Sequence, residues 1–177
     1  MAIRIFSYRK GIIMNQVTRQ GAFETNSSST HSIVIAGSDF VSSKLHSNDN
    51  DEIEAHGGEF GWGYDEFNDA ETKLAYCVTY LMASMQNNIE QESFTKKDME
   101  WLGFLGNTDS KLGMLVNVIV SETGKNIRFM KDTCDFHPWG YIDHDSDYVC
   151  GDAFESEESL RSFIFNPDST LIIDGNG

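Results

Sequence analysis

Cysteine is scarce in this chain of 177 residues. There are three, Cys77, Cys134 and Cys150, widely spaced and with no CxxC pair. That excludes a disulfide framework and a zinc signature, and it suits a reducing cytoplasm. Basic residues are also few: 13 Lys and Arg stand against 28 Asp and Glu, for a net charge of −15. Binding nucleic acid through general electrostatics needs clustered positive charge, which this composition does not supply. Docking onto a basic partner, on a surface built for nucleic acid, remains open to such a chain. Long apolar runs are missing too, and none reaches the roughly 18 residues needed to span a bilayer. The N-terminus lacks a sustained apolar stretch and a small-residue cleavage site, so it reads poorly as a signal peptide. There is no internal repeat and no obvious linker.

What is present is enough for a core. Apolar residues make up 40% and aromatics 12%, and the length suits one domain. Residues 1–13 carry Arg4, Arg9 and Lys10 and contrast with the acidic remainder. They read as an extra N-terminal segment, translated from upstream, with Met14 as the ordinary start. Residues 14–177 read as a single domain.

Along that domain, Val17 to Phe23 predicts a strand and Ser32 to Ala36 its partner. Residues 37–59, rich in Ser, Asn, Asp, Glu and Gly, read as a surface excursion. Gly58 to Tyr64 reads as a packed glycine and aromatic loop. Asn68 or Asp69 caps a helix over about 69–87, with Cys77 as a small core residue. A second helix is expected after Ser93 or Thr95, ending at Gly103 or Gly106. The third, at 109–121, competes with a buried strand over Met114 to Val120, where β-branched residues are dense. Asn126 to Phe129 reads as a strand and His137-Pro138-Trp139 as a structural turn. Glu155 to Phe165 reads as a helix capped by Ser156, then a turn at 166–169, then a strand at Thr170 to Ile173. Helices fall between strand pairs without βαβ alternation, which predicts an α+β fold: an antiparallel sheet with a few packed helices.

Two polar clusters carry candidate chemistry. Residues 19–31, Arg-Gln-Gly-Ala-Phe-Glu-Thr-Asn-Ser-Ser-Ser-Thr-His, gather hydroxyl, amide, acid, base and guanidinium groups between two strands. Arg19 offers a fork for phosphate, and Asn26, Ser27, Ser28 and Ser29 offer further donors. Glu24 and His31 can move protons near neutral pH. Such a run also makes Asx and Ser/Thr turns that only shape a loop. The second cluster is Asp143-His144-Asp145-Ser146, in which Asp143 and Ser146 would support His144. Neighbouring strand residues face opposite sides, and no spacing rule marks a divalent cation site there.

Arg19-x-x-x-Phe23-Glu24-Thr25-Asn26-Ser27-Ser28-Ser29-x-His31, Gly58-Glu59-Phe60-Gly61-Trp62, Gly140-Tyr141-Ile142-Asp143-His144-x-Ser146 and Phe163-Ile164-Phe165-Asn166-Pro167-x-Ser169 together resemble a widespread set of small proteins encoded by phages and mobile elements. The resemblance runs from about residue 15 to 173, and the first motif is the most specific. It implies a protein of the host bacterial cytoplasm, expressed during infection beside host-takeover or anti-defence genes. Some small phage proteins of this size inhibit CRISPR effectors, by covering their nucleic-acid surfaces or by cutting the guide RNA.

Two readings follow. In the first, an anti-defence ribonuclease acts on the guide RNA of a type II CRISPR nuclease. His31 and His144 share the acid and base roles with Glu24 as substitute base, and Arg19 with the serines holds the phosphate; no metal or cofactor is required. In the second, a non-catalytic acidic inhibitor docks on the nucleic-acid surface of the defence effector, with the carboxylates of 47–71 and 143–158 standing in for phosphates. The groups around the serines put the enzyme first. ADP-ribosyl transfer, suggested by Arg19 and a late pair Glu155 and Glu157, fits worse because its arginine and serine motifs lie further apart.

Overall fold

The structure, a computed structural model, describes residues 3–9, 12–18, 29–61, 63–83, 93–95, 98, 107–132, 137–142 and 149–175. At the centre of its main sheet two strands distant in sequence run antiparallel. These are β3 (Ser29–Ile35) and β10 (Thr170–Gly175), with His31 opposite Ile173 and Ile33 opposite Leu171. The hairpin of β1 (Ile3–Arg9) and β2 (Ile12–Thr18) extends the sheet beyond β3, and β6 (Tyr64–Phe67) closes the other edge beside β10. The pairing of β2 with β3 is the strand pair expected from sequence. Its first strand begins at Ile12 rather than Val17, so residues 3–9 and 12–13 belong to the sheet; residues 19–23 lie outside the described residues.

Two small sheets flank this one. In the first, β8 (Ile127–Met130) pairs parallel with β4 (Ile53–His56) and antiparallel with β7 (Ser93–Thr95). In the second, β5 (Glu59–Phe60) runs parallel to β9 (Tyr141–Ile142). The expectation of a surface excursion at 37–59 is thus corrected at its end, because β4 buries Ile53 and Ala55 on alternate positions. The loop before it is tethered rather than loose. Arg161 stacks over Phe40 at 4.4 Å, and the Ser43 amide donates to Phe165 O at 2.8 Å.

Four helices lie among the described residues: α1 (Ala70–Ala83), α2 (Asn107–Thr123), α3 (Val149–Ala153) and α4 (Glu157–Phe165). The start of α1 is set by Asp69, whose Oδ1 accepts from the Thr72 amide at 2.7 Å. Leu74, Cys77, Val78 and Leu81 then recur at helical spacing and are buried, as is Tyr76. Each such aliphatic side chain contributes about 1.5–3 kcal/mol through burial. For α2 the helical period wins over β propensity: Leu112, Leu115, Val116 and Ile119 form one buried face. Gly124, at φ +69, ends the helix with its amide on Val120 O at 2.9 Å. Ser156 caps α4, its Oγ accepting from the Ser159 amide at 3.0 Å. After β7 the Thr95 amide and hydroxyl both donate to Asp98 Oδ2 at 2.8 Å, and Asp98 is itself helical, in line with the helix expected after Thr95. Beyond Asp98 that expectation falls outside the described residues.

Two motifs quoted for the phage resemblance meet each other in the fold. Gly58 and Gly140 lie backbone to backbone, with the Tyr141 amide donating to Gly58 O at 2.8 Å. A Cβ at Gly140, whose φ is +82, would sit 2.3 Å from Gly58 O, and one at Gly57 would sit 2.1 Å from Trp139 O. Only glycine fits such an approach, and it sets β5 beside β9. The turn 137–139 forms as expected, with the Gly140 amide on His137 O at 2.8 Å and Trp139 buried. The architecture is a single α+β domain.

Candidate functional site

His31 is the one proposed catalytic side chain that the described residues include, and it is fully buried. Strand alternation explains this: His31 shares a face with Ile33, which points into the core. Its Nδ1 lies 3.0 Å from the Tyr76 hydroxyl on α1, and the two rings sit 5.7 Å apart at 48°. A buried imidazole with a hydroxyl partner satisfies its polar edge and pins β3 to α1. Of the other proposed residues, Ser29 opens β3 opposite Gly175. Arg19, Glu24, Asn26, Ser27, Ser28, Asp143, His144 and Ser146 lie outside the described residues, as does Trp62. No convergence of the two polar clusters is therefore described.

The fourth quoted motif, Phe163 to Ser169, forms a buried polar latch. Ser169 Oγ accepts from the Ala36 amide at 3.0 Å and donates to Ser162 O at 2.8 Å. Ser162 Oγ donates to Ala36 O at 2.7 Å, and Asn166 Nδ2 donates to Gly37 O at 2.8 Å. These bonds join the exit of β3, the end of α4 and the entry to β10. Lys73 of α1 completes the latch from below. It is fully buried, and its Nζ donates to Asn166 O at 2.8 Å and to Ser169 O at 3.0 Å. Burial lowers its pKa from 10.5 to about 8, against the opposing pull of Asp69. The ammonium form at neutral pH is held by two carbonyls and lies too deep to meet a ligand. Sequence reading missed Lys73, because a lysine in a helix ordinarily signals a solvated face.

An open groove of about 450 Å³ lies on the other side of α1. Phe60, Phe67 and Leu74 form its apolar floor, and Glu54, Glu59 and Glu71 stand on its walls. Phe60 meets Phe67 edge-on at 6.5 Å and Tyr76 edge-on at 4.9 Å, so the floor rests on the same tyrosine that holds His31. Glu71 Oε1 accepts from the His46 amide at 2.7 Å and lies 3.1 Å from its Nδ1; Glu54 Oε1 accepts from Asn48 Nδ2 at 2.8 Å. Among the described residues the groove lining contains no lysine or arginine, and its basic side chain is His56, 3.9 Å from Glu54. Sequence reading named the 47–71 carboxylates as a candidate docking set, but the groove joins four separated segments and has no linear signature.

Several basic groups elsewhere are occupied within the fold. Arg161 pairs with Glu122 at 2.6 Å, Arg128 with Glu52 at 2.7 Å and Lys125 with Asp51 at 2.6 Å. The hydrogen bond from Arg161 lowers the Glu122 pKa, reinforced by Ser42. Lys111 donates to the Tyr80 hydroxyl at 2.8 Å, over the aromatic rings of Tyr80 and Phe154. Among the described residues no three His, Cys, Asp or Glu side chains converge as a metal site, and no helix is long and apolar enough to cross a membrane. No family model, curated protein or solved structure matches this chain.

Proposed function

We propose that this chain is a phage-encoded anti-defence protein that inhibits a bacterial effector by docking on its nucleic-acid-binding surface, a type II CRISPR nuclease being the target to test first. The phage setting rests on the motif resemblance. One structural observation carries the mode of action: an apolar groove walled by carboxylates and without a lysine or arginine, in a chain of charge −15. A surface of that kind repels phosphate and attracts the Lys and Arg that line a nucleic-acid channel. The ribonuclease reading asks the imidazole of His31 to reach a phosphodiester, and its burial against Tyr76 weighs toward binding instead.

The test is to add the protein to the effector, with its guide RNA bound, and follow target-DNA binding, complex formation and RNA length across a salt series. The expected outcome is intact RNA, loss of DNA binding, and a complex that weakens steeply as salt rises. Discrete shortened RNA would replace this proposal with the ribonuclease. Intact RNA with unimpaired DNA binding would remove this effector as the target.

A further inference from the structure

We infer that the groove between α1, β4, β5 and the end of β6 receives a basic segment of a protein partner, entered by a lysine or arginine side chain. The inference deepens the docking reading and rests on it for the partner's identity. Phe60, Phe67 and Leu74 offer an apolar base to the alkyl stem of a long basic side chain, which prefers such contact below its charged head. Of the two aromatic rings of that floor Phe67 is the more exposed, and the face of an aromatic ring attracts a cation. The walls then match the head. Glu54, Glu59 and Glu71 approach from three different segments, so an incoming ammonium or guanidinium meets carboxylate on more than one side.

The carboxylates also differ in how free they are. Glu54 and Glu71 carry local partners, Asn48 and the groove-lining His56 at the first and His46 at the second, which orient them without a lysine or arginine. Glu59 is exposed, and its carboxylate has no ion-pair or hydrogen-bond partner among the described residues. An extra cation therefore costs the fold no existing bond at Glu59, and that residue is the place to probe. Charge complementarity also chooses the class of occupant. A nucleic-acid backbone would bring phosphate against three carboxylates, whereas a Lys- or Arg-rich peptide brings the opposite sign.

The experiment uses the full chain, a fluorescent hexalysine peptide and an RNA hexanucleotide. Anisotropy measures affinity, and amide NMR shifts locate the contact. Glu59→Lys is compared with Asp39→Lys, which makes the same change in net charge at an exposed position outside the groove. The expected result is peptide binding that shifts the amides of residues 59, 60, 67 and 71–75, with Glu59→Lys weakening it about tenfold and Asp39→Lys much less. Equal weakening by both variants, or shifts that avoid the groove, would overturn the inference. So would tighter binding of the RNA than of the peptide. Failure of the wider reading looks different: peptide capture in the groove with no effect on the effector leaves the site standing and removes the target. Inhibition of the effector that is unchanged by Glu59→Lys removes the groove and leaves the function.

Discussion

The two sides of α1 handle polar groups in opposite ways. On one side the latch takes Lys73 out of water and gives its ammonium two backbone carbonyls, while Ser162, Asn166 and Ser169 satisfy the chain around it. On the other, two residues to either side, Glu71 and Ala75 open onto a groove whose Glu59 carboxylate has no described partner. A helix turns about 100° per residue, so neighbours two apart face different worlds. The difference separates two purposes. Polar groups whose bonds are all made inside hold a fold together, and polar groups left facing an apolar hollow are available to something else.

Mutations test that division. Lys73→Ala should be the most damaging, leaving a cavity and two carbonyls without their donor. About 3–5 kcal/mol of stability should disappear in urea denaturation, with any surviving folded protein still binding the hexalysine peptide. Ser169→Ala removes one acceptor and one donor from the same latch and should cost roughly 1–3 kcal/mol by the same measurement. At the other extreme, Glu59→Gln should stay within about 0.5 kcal/mol of the parent, because it is a surface change that breaks no internal bond. Loss of stability in Glu59→Gln matching that of Ser169→Ala would collapse the distinction between the two sides.

Alkaline pH sharpens the same contrast with a smaller effect. Lys73 releases its proton near pH 8 when folded but only near 10.5 when unfolded. Between those values the unfolded chain holds the extra proton, so stability rises with pH, by at most about 1.4 kcal/mol per unit. Cys150 works the other way. It is buried against Cys77, Sγ to Sγ 3.9 Å, and burial raises its thiol well above the ordinary value of 9.0. Above pH 9 the unfolded thiol ionises and the folded one does not, so stability falls. Urea midpoints should therefore climb from pH 8 to 9 and level off beyond. Lys73→Met should lose the climb and show only the fall. A climb that persists in Lys73→Met would show that another group titrates there.

Much of the architecture was legible because it follows short-range rules. Asp69 and Ser156 cap the helices they precede, and Leu160, Phe163 and Ile164 mark one face of α4 as their spacing indicates. The short strands were not legible, since β5 and β9 have two residues each and no period to detect. They exist because Gly58 and Gly140 let two backbones touch, a tertiary event. The site was legible only in part. Strand alternation alone places His31 with Ile33, yet a histidine among serines draws attention as chemistry rather than as packing. Lys73 was opaque for the converse reason: its burial depends on carbonyls more than 90 residues away. The groove combines Glu54, Glu59, Phe67 and Glu71, which fall within the 47–71 stretch or at its end but follow no fixed spacing that marks a shared hollow.

The pairing of β3 with β10 also bears on how this chain is made. Ser29 meets Gly175 and Val34 meets Thr170, so the middle of the main sheet joins residues emerging from the ribosome far apart in time. Until the last of these segments appears, β3 and β6 each lack the neighbour that finally lies between them. Such distant pairing is slow to form, and unpaired edges in the interval invite association with other chains. Closure of the sheet thus waits for the last-made of these segments, making newly synthesised chains the form of this protein most dependent on chaperones.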